Sequence, residues 1–182
     1  PTNPMLRTDV AQELMNEDRY EEALEHFVWC WEHGLEYYPS FSGVRVSFML
    51  SDLSRLASKY PPALERMKSW RDIAKKQFDS KDPTPSSCLD YFALENYLGT
   101  SSKDLLVIYD KLKNRGSKGK QIQGWIDHYV QDELFAQGRY EEYLAAVNVN
   151  IQITLLKTES GDQSSYPDEL REMIIQDSVD RA

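Results

Sequence analysis

The chain has 182 residues, with 30 acidic against 21 basic side chains and a formal charge of −9. A balance this acidic repels phosphate backbones and anionic membrane surfaces, so neither nucleic acid nor a membrane is expected as a partner. The longest apolar runs, FVWCW at 27–31 and LLVIY at 105–109, fall far short of the roughly 20 residues that cross a bilayer, and the length suits one domain, 1–182, or a short repeat array.

The N-terminal PTNPMLRTDV lacks a basic segment followed by an apolar one, so no secretory signal is expected there. Val10, Ala11, Leu14 and Met15 then form the apolar stripe of a first helix. From Tyr20 the apolar residues Ala23, Leu24, Phe27, Cys30 and Trp31 recur at spacings of three and four, which predicts a second helix running to about Tyr38, before Pro39. Val28, Trp29, Cys30 and Trp31 point in nearly every direction, so this helix is expected to be covered on more than one side.

Forty residues on, Tyr60, Ala63, Leu64 and Met67 repeat Tyr20, Ala23, Leu24 and Phe27, with Trp70 at the place of Cys30. Pro61 and Pro62 replace Glu21 and Glu22. Both pairs suit a helix start, prolines because φ is preset and no amide is wasted, acids because they complement the dipole. Pro61 also forces Tyr60 out of helical geometry, so the helix carrying Val44, Phe48, Leu50, Leu53, Leu56 and Ala57 must stop there. A third pair runs through Cys88, Leu89, Phe92, Leu94 and Leu98 to Gly99, then Leu105, Leu106, Tyr109 and Leu112, with Ser101 and Asp104 in a capping-box pattern. LLVIY reads as a strand in isolation, but the cap, the helical spacing and Gly116 as terminator favour helix. A fourth pair joins Trp125, Tyr129, Val130, Leu134 and Phe135, through Gly138, to Tyr140, Tyr143, Leu144, Val147 and Ile151. Ser165 and Asp168 cap a closing helix through Leu170, Met173, Ile174 and Val179.

The expected fold is therefore all-α: four αα-hairpins, at about 8–38, 42–79, 84–115 and 120–158, and a C-terminal helix at 166–181. NEDRYEEALEHF and AQGRYEEYLAAV resemble the turn and second helix of tetratricopeptide repeats (TPR), at Tyr20, Ala23, Phe27, Gly138 and Tyr140. The pattern departs at Tyr143, at Asn150 and in a 40-residue period longer than the family's. The stretch WEHGLEYYPSFSGVRVSFMLSDL is also similar to a group of uncharacterised bacterial proteins with such repeats. The resemblance implies a right-handed superhelix whose first helices line a concave groove that binds a protein or peptide, and on that basis Gln12, Asn16, Arg45, Phe48, Asp52, Arg55, Phe92, Glu95, Trp125, His128 and Asp132 are the groove residues. Arg45, Phe48, Asp52 and Arg55, spaced three, four and three apart, share a helix face without the analogy. Arginine there would fork onto an acidic group, with Phe48 and Trp125 giving apolar contact. A solvated face laced by ion pairs is the plain alternative.

Other constellations are weaker. His26, Cys30 and His33 line one helix face, but no second helix supplies further ligands, so no metal and no cofactor is expected. Lys111 to Lys120 gathers five basic residues, read as an exposed loop whose cations complement a helix C-terminus. No nucleophile elbow, phosphate loop or HExxH run is present, so the chain is not expected to be an enzyme. The rival reading is a metal- or small-molecule-dependent activity on Asp52, Asp132 and His128, and a third is a self-associating module using Trp29 or the final helix. Cys30 and Cys88 sit in apolar stretches without a second pair, as reduced thiols of a cytoplasmic protein would.

Overall fold

The computed structural model describes residues 2–147. Among these, every regular element is helical. The closing helix expected at 166–181 and the end of the hairpin at 120–158 lie outside the described residues. Contacts divide the chain between Ser101 and Ser102 into two compact units.

In the first unit α1 (Pro4–Asn16) starts at Asn3, whose Oδ1 accepts from the Met5 amide at 2.9 Å, with Pro4 at the first helical position. Its buried stripe, Pro4, Thr8, Ala11, Leu14 and Met15, packs on α2 (Tyr20–Tyr37), which buries Ala23, Phe27, Cys30, Trp31 and Gly34. The helices approach closely at Gly34, where an added Cβ would stand 3.0 Å from the Phe41 ring and 3.2 Å from Pro4 Cβ. Asp18 turns the chain with φ 58°, and the Arg19 amide reaches back to the Leu14 carbonyl at 2.9 Å, closing a Schellman turn.

A 3₁₀ turn at Pro39–Phe41 leads into α3 (Ser42–Val44), a π-helical turn at Arg45–Met49, and α4 (Leu50–Lys59). Tyr60 leaves the helix at φ −131°, ψ 96°, as the following proline demands, and α5 (Pro61–Phe78) begins at once. Positions 40 residues apart meet across these hairpins. Gln12 Nε2 donates to Asp52 Oδ2 at 2.5 Å, and the Tyr20 and Tyr60 rings lie 6.4 Å apart. Trp70, 39 residues after Trp31, stacks on it at 4.9 Å. Tyr20, Tyr60 and Tyr140 are all half-buried at helix starts. The unit ends with α6 (Pro85–Tyr97), begun by a Thr84–Ser87 capping box and packed on α5 through Phe78, Tyr91 and Phe92.

The second unit holds α7 (Ser102–Lys111), a 3₁₀ turn at Leu112–Arg115, α8 (Gly116–Ile126), a second 3₁₀ turn at Asp127–Tyr129, α9 (Gln131–Ala136) and α10 (Tyr140–Ala146). LLVIY is helical, within α7. Two expectations are corrected here. The basic stretch from Lys111 to Lys120 is not an open loop: Gly116, at φ 60°, ends one turn and α8 starts from it. Gly119 lies so close under Leu112 that an added Cβ would fall 1.8 Å from its carbonyl oxygen, which folds the glycine-rich segment back on α7's end. The arm expected as one helix ahead of Gly138 breaks at Ile126 and Val130, both near φ −120°, so that α8 and α9 together bury Ile122, Ile126, Val130 and Leu134.

Candidate functional site

The predicted groove residues separate once placed. Gln12, Asn16, Arg45, Phe48, Asp52, Arg55, Phe92 and Glu95 belong to the first unit, and Trp125, His128 and Asp132 to the second. In the first unit Asp52 links two helices, accepting from Gln12 of α1 and pairing with Arg55 one turn on, Oδ1 to Nη2 at 3.1 Å. Arg55 is 64% exposed and Phe48 75%, the largest exposure among the bulky apolar side chains described. Asn16 is exposed at the end of α1. Tyr97, which the sequence reading left out, donates from its hydroxyl to the Ser47 carbonyl at 3.0 Å, tying α6 to the π-turn beside Phe48. Burial raises its pKa, with the Asp52 charge adding to the effect.

Three residues expected on the open face are buried instead. Phe92 lies wholly inside the α5–α6 contact. Glu95 accepts from Arg71 at 3.5 Å and from the Thr100 hydroxyl, pinning the Schellman turn at Gly99. Arg45 turns inward because the π-turn spends an extra residue, throwing side chains ahead of it out of phase with Asp52 and Arg55 behind it. It does meet a carboxylate, but an internal one: Nη2 pairs with Asp90 of α6, Nη1 reaches the Trp31 carbonyl at 3.4 Å, and the guanidinium lies 4.3 Å from the Trp31 ring centre. Asp90 signals this role only faintly, as a lone acid among Cys88, Leu89, Tyr91 and Phe92.

Beside this ion pair a cleft of about 360 Å³ opens between α2, α5 and α6, walled by Trp31, Trp70, Ile73 and Ala74 and rimmed by Glu32, Arg66, Ser69, Gln77, Ser87 and Asp90. Burial pushes the Asp90 carboxyl upward even though the Arg45 charge and hydrogen bond pull it down.

In the second unit Trp125 is half-buried, while His128, its ring 4.1 Å from that of Tyr129, and Asp132 are exposed. The dominant feature there is Arg139, which grips Asp110 of α7 through two nitrogens, at 2.9 and 2.7 Å, and Glu142 at 2.9 and 2.6 Å. Lys113 joins both carboxylates, at 3.3 and 2.9 Å. Hydrogen bonds from Arg139 are the main reason that Asp110 and Glu142 lie below the usual carboxylate range. A wider cleft of about 720 Å³ lies beside this network, lined by Tyr109, Lys120, Gln123 and Asp127 among others.

The histidine face of α2 disperses. Cys30 is buried with its thiol toward the Pro4 carbonyl at 3.5 Å, its pKa pushed up to about 12 by burial, while His33 lies 3.5 Å from Glu36 and 5.9 Å from the Trp29 ring. Among the described residues no three His, Cys, Asp or Glu side chains converge as a metal would need, and no helix is long and apolar enough to cross a membrane. No family model, curated protein or solved structure matches the chain.

Proposed function

We propose that this chain is a TPR-like helical-repeat scaffold of the cytoplasm that binds a protein or peptide partner through the surface of its first unit that carries Phe48, Asp52 and Arg55. One observation carries the reading: Phe48, 75% exposed, sits on a π-turn held by Tyr97 and Arg45, and the α4 helix that follows carries Arg55 and the Gln12–Asp52 link. An exposed aromatic ring on a rigid support suits an interface hot spot, because little ordering entropy remains to be lost on binding. π-Turns also concentrate at functional sites, where the break in helical phase re-aims side chains. Cys30 and Cys88, both buried and not joined in a disulfide, suit a reducing compartment.

The test is affinity capture from the source cell followed by direct binding with the purified partner. Phe48→Ser with Arg55→Ala is expected to weaken that binding at least about tenfold with helicity unchanged. Equal affinity of variant and wild type would sink the reading. Self-association has one observation in its favour, the Trp29 ring stacked on the exposed Tyr37 at 5.5 Å with Arg7 above it at 4.0 Å. Light scattering across a concentration series checks it.

A further inference from the structure

The cleft between α2, α5 and α6 is not lined by Phe48, Asp52 or Arg55 and has a chemistry of its own. Its volume of about 360 Å³ falls in the range of small-ligand pockets, roughly 300–1,000 Å³. One wall is apolar and fixed: the Trp31 and Trp70 indoles stack at an angle of 15°, and Ile73 beside them keeps 57% of its surface exposed. The other wall carries two carboxylates, Asp90 and Glu32, each beside an arginine. Asp90 gives Oδ1 to Arg45, but its second oxygen has no partner among the described residues, and 17% of the side chain remains open. A carboxylate accepts up to about four hydrogen bonds, and burial has raised this one's pKa against the pull of Arg45, so the pair leaves Asp90 short of donors. At the rim Glu32 adds a second carboxylate, 4.0 Å from Arg66 and therefore only loosely held.

We propose that this cleft binds an ammonium or guanidinium group carried on an aliphatic stem, the N–H donors reaching Asp90 Oδ2 and Glu32 and the stem lying against Trp31, Trp70 and Ile73. A carboxylate held by arginine takes a second cation elsewhere in this chain, where Asp110 binds both Arg139 and Lys113 with Glu142 sharing them, the part Glu32 plays in the cleft. The indoles add affinity for a cation that approaches their faces or edges only through burial of its methylenes, since Arg45 already occupies the Trp31 ring. The cation can come from a lysine or arginine side chain of a protein or from a free diamine.

The experiment is a titration of the ¹⁵N-labelled full chain, following the indole N–H signals of Trp31 and Trp70. The probes are N-acetyl-lysine methylamide, N-acetyl-arginine methylamide, 1,4-diaminobutane and, as neutral isostere, N-acetyl-norleucine methylamide. Saturable shifts are expected with at least one cationic probe, and binding of the norleucine probe at least about tenfold weaker. Tighter binding of the amino-acid probes assigns the cation to a protein side chain, and tighter binding of diaminobutane to a free diamine. Asp90→Asn should abolish the response. Because that variant also disturbs Arg45, Ile73→Lys at an exposed wall position provides the fold-neutral check, placing the chain's own ammonium in the cleft and weakening the probes at least about tenfold. Norleucine binding as well as lysine, no saturation by any cationic probe, or an Ile73→Lys variant that binds like wild type would each overturn the proposal.

Discussion

The two Arg-Tyr-Glu-Glu turns are identical in sequence and nearly identical in local geometry. Arg19 and Arg139 stand at φ −88°, ψ 64° and φ −85°, ψ 59°, and each forks onto the glutamate three residues on. What lies opposite them differs. Arg19, 49% exposed, finds only Glu17 and Glu22, whereas Arg139, 20% exposed, also binds Asp110 of another helix and shares it with Lys113. The same four letters thus make a solvated cap in one unit and a cross-helix clamp in the other. Local sequence sets the turn, and the neighbouring helix decides how much an arginine in it contributes.

The contrast can be broken at several points. The largest effect is expected away from both turns, at Arg45: Arg45→Ala strands the Asp90 carboxylate in the interior and should cost about 3–5 kcal/mol in urea unfolding. Arg55→Ala, on the exposed partner of Asp52, should cost less than about 1 kcal/mol. Near-equal values would refute the burial of Arg45. Next comes Gly119→Ala, whose Cβ would meet the Leu112 carbonyl. It should destabilise the second unit by about 1–3 kcal/mol, and hydrogen exchange should show the loss there rather than in α1 and α2.

Arg139→Ala is expected to cost about 1–2 kcal/mol, and Arg19→Ala to leave the unfolding midpoint unchanged. The pH dependence sharpens this pair. Asp110 and Glu142 are held below their ordinary values of 3.8 and 4.5, so their contribution is complete above those values and fades as the pH falls through the lower, folded-state ones. The stability gap between wild type and Arg139→Ala should therefore narrow in acid. Asp90 has the opposite sign: its raised pKa penalises the fold at neutrality, and the penalty lifts as the pH drops toward the carboxylate range. A gap for Arg139→Ala that is constant from neutrality to below pH 3.8 would remove the clamp. Phe48→Ser should likewise stay within about 0.5 kcal/mol of wild type in stability while affecting only partner binding.

Much of the helical order was legible because it follows from short-range rules. Tyr60 ends its helix since a proline follows, and Gly138 turns the chain at φ 69° where an L side chain would be strained. Asp18 takes the same left-handed place without being a glycine, at φ 58°, with the Tyr20 hydroxyl donating to its carboxylate. The third turn, where Thr100 stands 40 residues after Tyr60, closes the same way at Gly99, one residue out of register with a 40-residue count from Leu14 to Glu95. The candidate surface was half legible. Asp52 and Arg55 pair one turn apart and Phe48 is exposed, but Arg45 is buried, since periodicity assumes a constant turn and cannot foresee a π-turn. Phe92 and Glu95 were assigned by analogy to a groove, and packing on α5 buried them.

By itself the sequence determined the helices, most of their ends and the 40-residue beat that brings Gln12 to Asp52 and Tyr20 to Tyr60, because caps, prolines and apolar spacing act over one or two turns. Only the tertiary structure decided which charges are buried. Arg45 against Asp90 and Arg139 against Asp110 are contacts between residues 45 and 29 positions apart, and no local rule distinguishes a cation that will meet an acid on another helix from one that will meet water.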